Sequence, residues 1–161
     1  DTKINLQPTE VLPLIEQTLK VVNLNDPRYT FTVKAPASDD LPKIAADPVK
    51  TELALLNLLL NSVKRSPEGC HITITPHVGG REVRILIHDT GPEMPLPVQE
   101  KLFDPFYAVH DEGGKMPSTY QFGLYTTRRF IEMQGGRIWV KNVPGEGMQF
   151  GFSLPIWEST P

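Results

Sequence analysis

The sequence predicts an α/β protein of the α+β kind: a two-layer sandwich in which a mixed, mostly antiparallel sheet carries its helices on one face. Three observations point there. The 161 residues make one ordinary domain, able to bury about two-thirds of the unfolded chain's surface without staples. Helical and alternating apolar patterns interleave along the chain. The alternating runs are joined largely by tight turns, Gly79-Gly80 and Pro144-Gly145-Glu146-Gly147, and hairpins build antiparallel pairs rather than a doubly wound sheet.

Taken in order, Thr9 to Val22 places Val11, Leu12, Leu14, Ile15, Leu19 and Val22 at helical spacing, with Thr9 as an available cap. Tyr29 to Lys34 alternates aromatic or β-branched with polar residues and reads as a strand, followed by a turn-rich stretch marked by Pro36 and Pro42. Asp47-Pro48 has the form of a helix cap followed by a first-turn proline. Val49 to Val63 then runs as a long helix, apolar on nearly every side except at Asn57 and Asn61. His71 to His77 and Glu82 to His88 form a hairpin. From Asp89 to Tyr120 regularity stops, apart from a short helix at Val98 to Phe103, and a loop of that length inside a compact domain is functional or disordered. Phe122 to Gln134 reads as a helix stopped by Gly135-Gly136, and Arg137 to Lys141 with Met148 to Leu154 closes the chain as a second hairpin.

Composition narrows the function. With 39% hydrophobic and 22% charged residues the chain is not a disordered one, and a net charge of -3 gives no cationic field for duplex nucleic acid. One cysteine, Cys70, excludes an internal disulfide and a Cys-rich zinc site, and fits a reducing, cytoplasmic setting. The longest apolar run, Leu53 to Leu60, is too short to span a bilayer, so no membrane contact is expected of this domain. The absent initiator Met suggests a piece of a longer protein that carries any targeting signal or membrane anchor. Proline, 16 residues or about 10% of the chain, is roughly twice average usage, and five of the 16 fall between Pro92 and Pro117.

Two sites carry candidate chemistry. Asn57 and Asn61 lie four apart on one helix face, with Lys64 a turn beyond, and buried amides need partners or a polar cavity. Asn57 reads equally well as an amide satisfied within the core. The Asn61 oxygen can complete the shell of a Mg²⁺ that otherwise holds waters and triphosphate oxygens, and Lys64 supplies charge to those phosphates. Asp89-Thr90-Gly91 ends an apolar strand, where a carboxylate is placed to accept from the exocyclic amine of a purine and Gly91 lets backbone approach the base. Taken alone, that segment reads first as a plain turn, since Asx-Gly clusters are common at strand ends. His71, His77, His88 and His110 show no metal spacing, and Arg128-Arg129 reads as a solvated helix face.

Taken together, these residues resemble a known set. Asn57-Leu-Leu-Leu-Asn61-Ser-Val-Lys64, Asp89-Thr-Gly91-Pro, Leu102-Phe103-Asp-Pro-Phe106-Tyr, Gly123-Leu124, Gly135-Gly136-Arg-Ile and the stretch from Pro144 to Pro155 resemble, in order, the N box, first glycine box, F box, second glycine box and closing hairpin of the ATP-binding catalytic domain of sensor histidine kinases. The resemblance covers Ala45 to Pro155. It implies the Bergerat ATP-binding fold over a single domain, residues 1–161, with a connector and first helix at 1–22 and a lid over ATP at 104–122. It implies that Asn61 holds Mg²⁺, that Lys64 contacts phosphate, that Asp89 reads the adenine amine beside Gly91, and that Phe103 and Phe106 anchor the lid. Gly123, with Leu124, would stand at the phosphate-facing start of the following helix, where free amides attract anions. Related ATPases carry Glu where Asn57 stands, so Asn57 points to phosphoryl transfer rather than hydrolysis.

The implied function is transfer of the γ-phosphate of MgATP to a histidine on a separate dimerisation domain, of the same or another kinase, with a response regulator as the further partner. None of the four histidines is the phosphoacceptor. The chain departs from the family where Glu93 fills the second position of the first glycine box, where Thr119 and Gln121 replace two glycines of the second, and where Arg65 replaces an aromatic. Each lost glycine adds a side chain where backbone would hug phosphate. The alternative is therefore a degenerate, nucleotide-free module that keeps the fold as a signalling interaction domain.

Overall fold

A computed structural model describes residues 3–25, 28–35, 41–66, 69–105 and 119–158. The elements run β1 (Gln7–Thr9), α1 (Val11–Asn25), β2 (Thr30–Val33), β3 (Ile44–Ala46), α2 (Pro48–Arg65), β4 (His71–Gly79), β5 (Glu82–Asp89), α3 (Leu96–Lys101), α4 (Thr119–Met133), β6 (Arg137–Val143) and β7 (Gly147–Pro155). The main sheet has the order β2-β4-β5-β7-β6. β2 lies parallel to β4 and every other pairing is antiparallel, which is the mixed, mostly antiparallel sheet expected.

Alternation along the strands decides which face is covered. Ile72 and Ile74 of β4, Val83, Ile85 and Ile87 of β5, and Met148, Phe150, Phe152 and Leu154 of β7 all point inward and are buried. They meet Ile15 and Val22 of α1, Leu55, Leu58 and Leu59 of α2, and Leu124 and Ile131 of α4 in one continuous core. Each such side chain contributes about 2 kcal/mol of burial, which is why the sheet's register is fixed: a one-residue slip would turn all of them outward. Pro76 sits within β4, which has strands on both sides, yet β2 pairs only as far as Ile74, so the missing N–H falls where β4 is already an edge.

Four expectations are corrected. β1 and β3, an antiparallel pair joining Gln7 to Ala46, form a second small sheet where the sequence suggested only a cap and a turn. Strands of three residues are too short to show alternation. Thr9 closes β1 and its hydroxyl donates to the carbonyls of Gln7 and Ala46, so it is no helix cap. The short helix begins at Leu96 rather than Val98, because Pro97 suits a first turn and leaves Leu102 and Phe103 in the turn that follows. α4 begins at Thr119, three residues before Phe122, since the residues that replace the family's glycines there do not oppose a helix.

Candidate functional site

The site forms where the C-terminal half of α2 meets α4 and the end of β5. α2 is set by its first turn: Asp47 is the N-cap, its carboxylate accepting from the Lys50 amide at 3.2 Å, with Pro48 in the first turn. Burial alone would raise the Asp47 pKa, but N–H donors from Asn5 and Lys50 and the Lys50 charge outweigh it and hold the carboxyl below its ordinary value.

Counting from there, Asn57, Asn61 and Arg65 fall at steps of four and form one polar stripe on an otherwise apolar helix. The half-buried Asn57 amide donates to the Thr127 hydroxyl of α4 at 3.2 Å, so it ties α2 to α4 through a side chain. Asn61 is buried, and its Oδ1 accepts from no group among the described residues. An orphaned, buried carbonyl oxygen is a hard donor with a free lone pair, and it fits a Mg²⁺ that keeps waters and phosphate oxygens as its other ligands. Lys64 is exposed beside the stripe. The Ser62 and Ser66 hydroxyls nearby on the same helix end are likewise buried without a partner.

Asp89 is the last residue of β5 and is completely buried. It does not stand open. Arg65 Nη2 donates to its Oδ2 at 2.9 Å and to its Oδ1 at 3.2 Å, while the Gly91 amide donates to Oδ1 at 3.0 Å. Arg65 Nη1 reaches on to the Pro92 carbonyl at 3.1 Å. A Cβ on Gly91 would stand 2.7 Å from Ser66 Oγ, so the missing side chain admits the end of α2. The following loop is pinned by Asn142, which accepts from the Met94 amide at 2.9 Å and donates to the Met94 carbonyl at 3.0 Å.

Of the other expected residues, Phe103 is half-buried and packs against the core. Phe106, His110 and lid residues 106–118 lie outside the described residues. Gly123 sits in the second turn of α4 rather than at its start, so its amide falls among those that bond within the helix, and the free amides belong to the residues before it. Leu124 is fully buried in the core, where it anchors α4. Two of the histidines make local contacts: His71 Nε2 lies 2.8 Å from Thr32 Oγ1 and His88 Nε2 lies 2.7 Å from the Glu146 carbonyl. No group of three or more potential metal ligands of the His, Cys, Asp or Glu kind occurs among the described residues. Arg128 pairs with Glu132 on an exposed helix face. A groove of about 350 Å³ on the opposite face of the sheet, lined by Arg84, Trp139 and Lys141, contains none of the site residues.

Arg65 and Thr127 are the participants that sequence reasoning did not assign. The signal for Arg65 was present, since it stands four residues beyond Asn61. Thr127 offered none, because only the packing of α4 on α2 reveals it.

Comparison with known proteins shows the family. Residues 46–158 match the family described as histidine kinase-, DNA gyrase B-, and HSP90-like ATPase. The adaptive-response sensory kinase SasA of Parasynechococcus marenigrum (strain WH8102) is 38% identical over 128 residues, which is 78% of this chain and 33% of that protein. SasA of Thermosynechococcus vestitus is 34% identical over 158 residues, 96% of this chain and 40% of its own length. The chain thus spans well under half of the curated relatives it matches. Among solved structures, a nucleotide-free form of the catalytic domain of histidine kinase ThkA superimposes with a TM-score of 0.79 at 26% identity, covering 94% of this chain and 96% of that one. The chain belongs to the histidine kinase-, DNA gyrase B- and HSP90-like ATPase family, and within it to the histidine kinase type of ATPase domain.

Proposed function

We propose that this domain binds MgATP and presents its γ-phosphate to a histidine on a separate dimerisation domain. The observation that carries this reading is Asn61: a buried amide whose oxygen has no partner among the described residues, beside the buried and likewise unpartnered hydroxyls of Ser62 and Ser66. Mg²⁺, when bound, would neutralise charge on the phosphates and hold them in line. The chain's own residues would do the rest. Asn61 would hold the cation, Lys64 would offer charge to phosphate from the exposed edge, and Asp89 would accept from the adenine amine. Asn57 provides no carboxylate to activate water, and its amide is already engaged by Thr127, so hydrolysis by the isolated domain is disfavoured.

The partners follow from the same reading: the phosphoacceptor domain and a response regulator. A solved ThkA structure holds that kinase in complex with the response regulator TrrA. The reading also implies a cytoplasmic setting; no helix among the described residues is long and apolar enough to cross a membrane. A second reading, a nucleotide-free signalling module, is favoured by one observation, the closure of Asp89 by Arg65. Titration with a fluorescent ATP analogue, with and without Mg²⁺, separates the two. Saturable, Mg²⁺-dependent binding that weakens in Asn61→Ala and Asp89→Asn is expected. Absence of such binding up to millimolar nucleotide rejects the kinase reading in favour of the second.

A further inference from the structure

Arg65 and Asp89 make an unusual pair for a site that must read a base. The carboxylate is fully buried, and the one side chain engaging both of its oxygens is a guanidinium whose own exposure is 17%. The engagement is not a two-nitrogen fork. Nη2 alone serves both oxygens, Nη1 is turned to the Pro92 carbonyl, and Nε is buried with no partner among the described residues. The guanidinium carbon lies 5.7 Å from the centroid of the Phe150 ring, so the group is held by charge and by an aromatic face rather than by a full set of hydrogen bonds. Oδ2 has Arg65 as its donor, whereas Oδ1 keeps the Gly91 amide if Arg65 leaves. One N–H donor from outside could therefore replace Arg65 on Oδ2 without leaving the carboxylate bare.

We infer that Arg65 is an internal competitor for the nucleobase: by engaging Asp89 it sets how tightly, and how selectively, an adenine nucleotide is held. The inference rests on the reading of Asp89 as acceptor for the exocyclic amine. A site available only when Arg65 has swung away has its affinity reduced by the fraction of time it is open, and a bond to an ionised group is strong enough to make that fraction small, about one part in ten. The same swing frees the Pro92 carbonyl, so base binding and the position of the loop after β5 are coupled through one side chain.

The test is displacement of a fluorescent ATP analogue by MgATP and by the Mg²⁺ complex of purine riboside triphosphate, which lacks the amine. The proteins are the native chain, Arg65→Lys and Arg65→Tyr, each also in an Asp89→Asn background, with folding checked by circular dichroism. Arg65→Tyr is expected to bind MgATP about tenfold more tightly than native, with Arg65→Lys between them. The gain should vanish both in the Asp89→Asn background and with the amine-free nucleotide. A folded Arg65→Tyr that binds MgATP no better than native, while native binds, overturns the role of Arg65 and leaves the kinase reading intact. Failure of every protein to bind overturns both. Should Arg65→Tyr not fold, the Arg65 Nε–Hε resonance of the native chain decides. It is expected to move on saturation with MgATP and not with the amine-free analogue, and a resonance unmoved by MgATP refutes the competition.

Discussion

At the N-terminal end of α2 the buried polar groups answer one another, whereas at its C-terminal end, beside the Arg65–Asp89 pair, four buried polar atoms have no partner among the described residues. Gln134, at the close of α4, accepts from the Asp47 amide at 2.7 Å and from the Thr51 hydroxyl at 3.0 Å, and donates to the Phe130 carbonyl at 2.8 Å. The Asp47 carboxylate takes the amides of Lys50 and Asn5. Eighteen residues of the same helix lead to the other end, where Asn61 Oδ1, Ser62 Oγ, Arg65 Nε and Ser66 Oγ are all buried without a partner among the described residues. A folded chain rarely leaves such groups unmatched, because each costs its full desolvation. One end therefore holds the helix in place, and the other is left incomplete in the way a binding site is. Substitutions should sort accordingly, those at the first end moving stability and those at the second moving ligand affinity.

The largest effect is expected from Asn61→Ala. If its oxygen is kept for Mg²⁺, removing it should weaken Mg²⁺-dependent nucleotide binding about hundredfold, on the order of 3 kcal/mol, with the unfolding midpoint nearly unchanged. A variant that binds normally but unfolds early would assign Asn61 to the wrong end of the comparison. Gln134→Leu should do the opposite. It strands the Asp47 amide and the Thr51 hydroxyl in the interior, so a loss of about 2 kcal/mol in urea unfolding is expected, with nucleotide affinity unaltered in the folded fraction.

How much of this contrast could be read from sequence depends on which interactions are local. Asp47-Pro48 announced the start of α2, and the glycine turns announced both hairpins, because caps and turns are written in adjacent residues. Asn57 and Asn61 were visible as amides on an apolar face. Gln134 was not, since a residue at the end of one helix that bonds to the cap of another, 87 residues away, leaves no local pattern. Arg65 was visible as a departure from the family and as the next step of four after Asn61, but its contact with Asp89 depends on the docking of α2 on β5. Leu124, which the resemblance put among the nucleotide-contacting residues, is seen from the packing to be part of the core as well.

Asp47 allows the stable end to be tested by pH. Its carboxyl titrates lower in the folded chain than its ordinary value of 3.8, so between the two values the unfolded chain binds more protons than the folded one. Stability from this group is thus fully present above the unfolded value and is lost as pH falls through the folded one. Asp47→Ala should cost about 1 kcal/mol near neutrality through the lost cap. Asp47→Asn keeps a cap and removes the titration, so the gap between native and Asp47→Asn should be constant above pH ~5 and shrink below pH ~4. A gap independent of pH would mean that the Asp47 carboxylate contributes nothing as a charge.

The smallest effect, and the sharpest discrimination, belongs to Ser66. Its hydroxyl is buried at the C-cap of α2, within reach of the space that Gly91 leaves by having no side chain, and it bonds to nothing among the described residues. The Ser66 residue still has structural duties, since its carbonyl accepts from the Tyr29 hydroxyl at 3.0 Å and its amide caps the helix, but these are backbone groups that alanine retains. Deleting an unpaired hydroxyl removes a desolvation cost and little else, so Ser66→Ala should leave the unfolding free energy within about 0.5 kcal/mol of native or slightly above it. A loss of 2 kcal/mol or more would show that the hydroxyl is satisfied in solution and that this end of α2 is built like the other. If stability is unchanged while nucleotide affinity falls, Ser66 joins Asn61 among the groups held unpaired for the ligand.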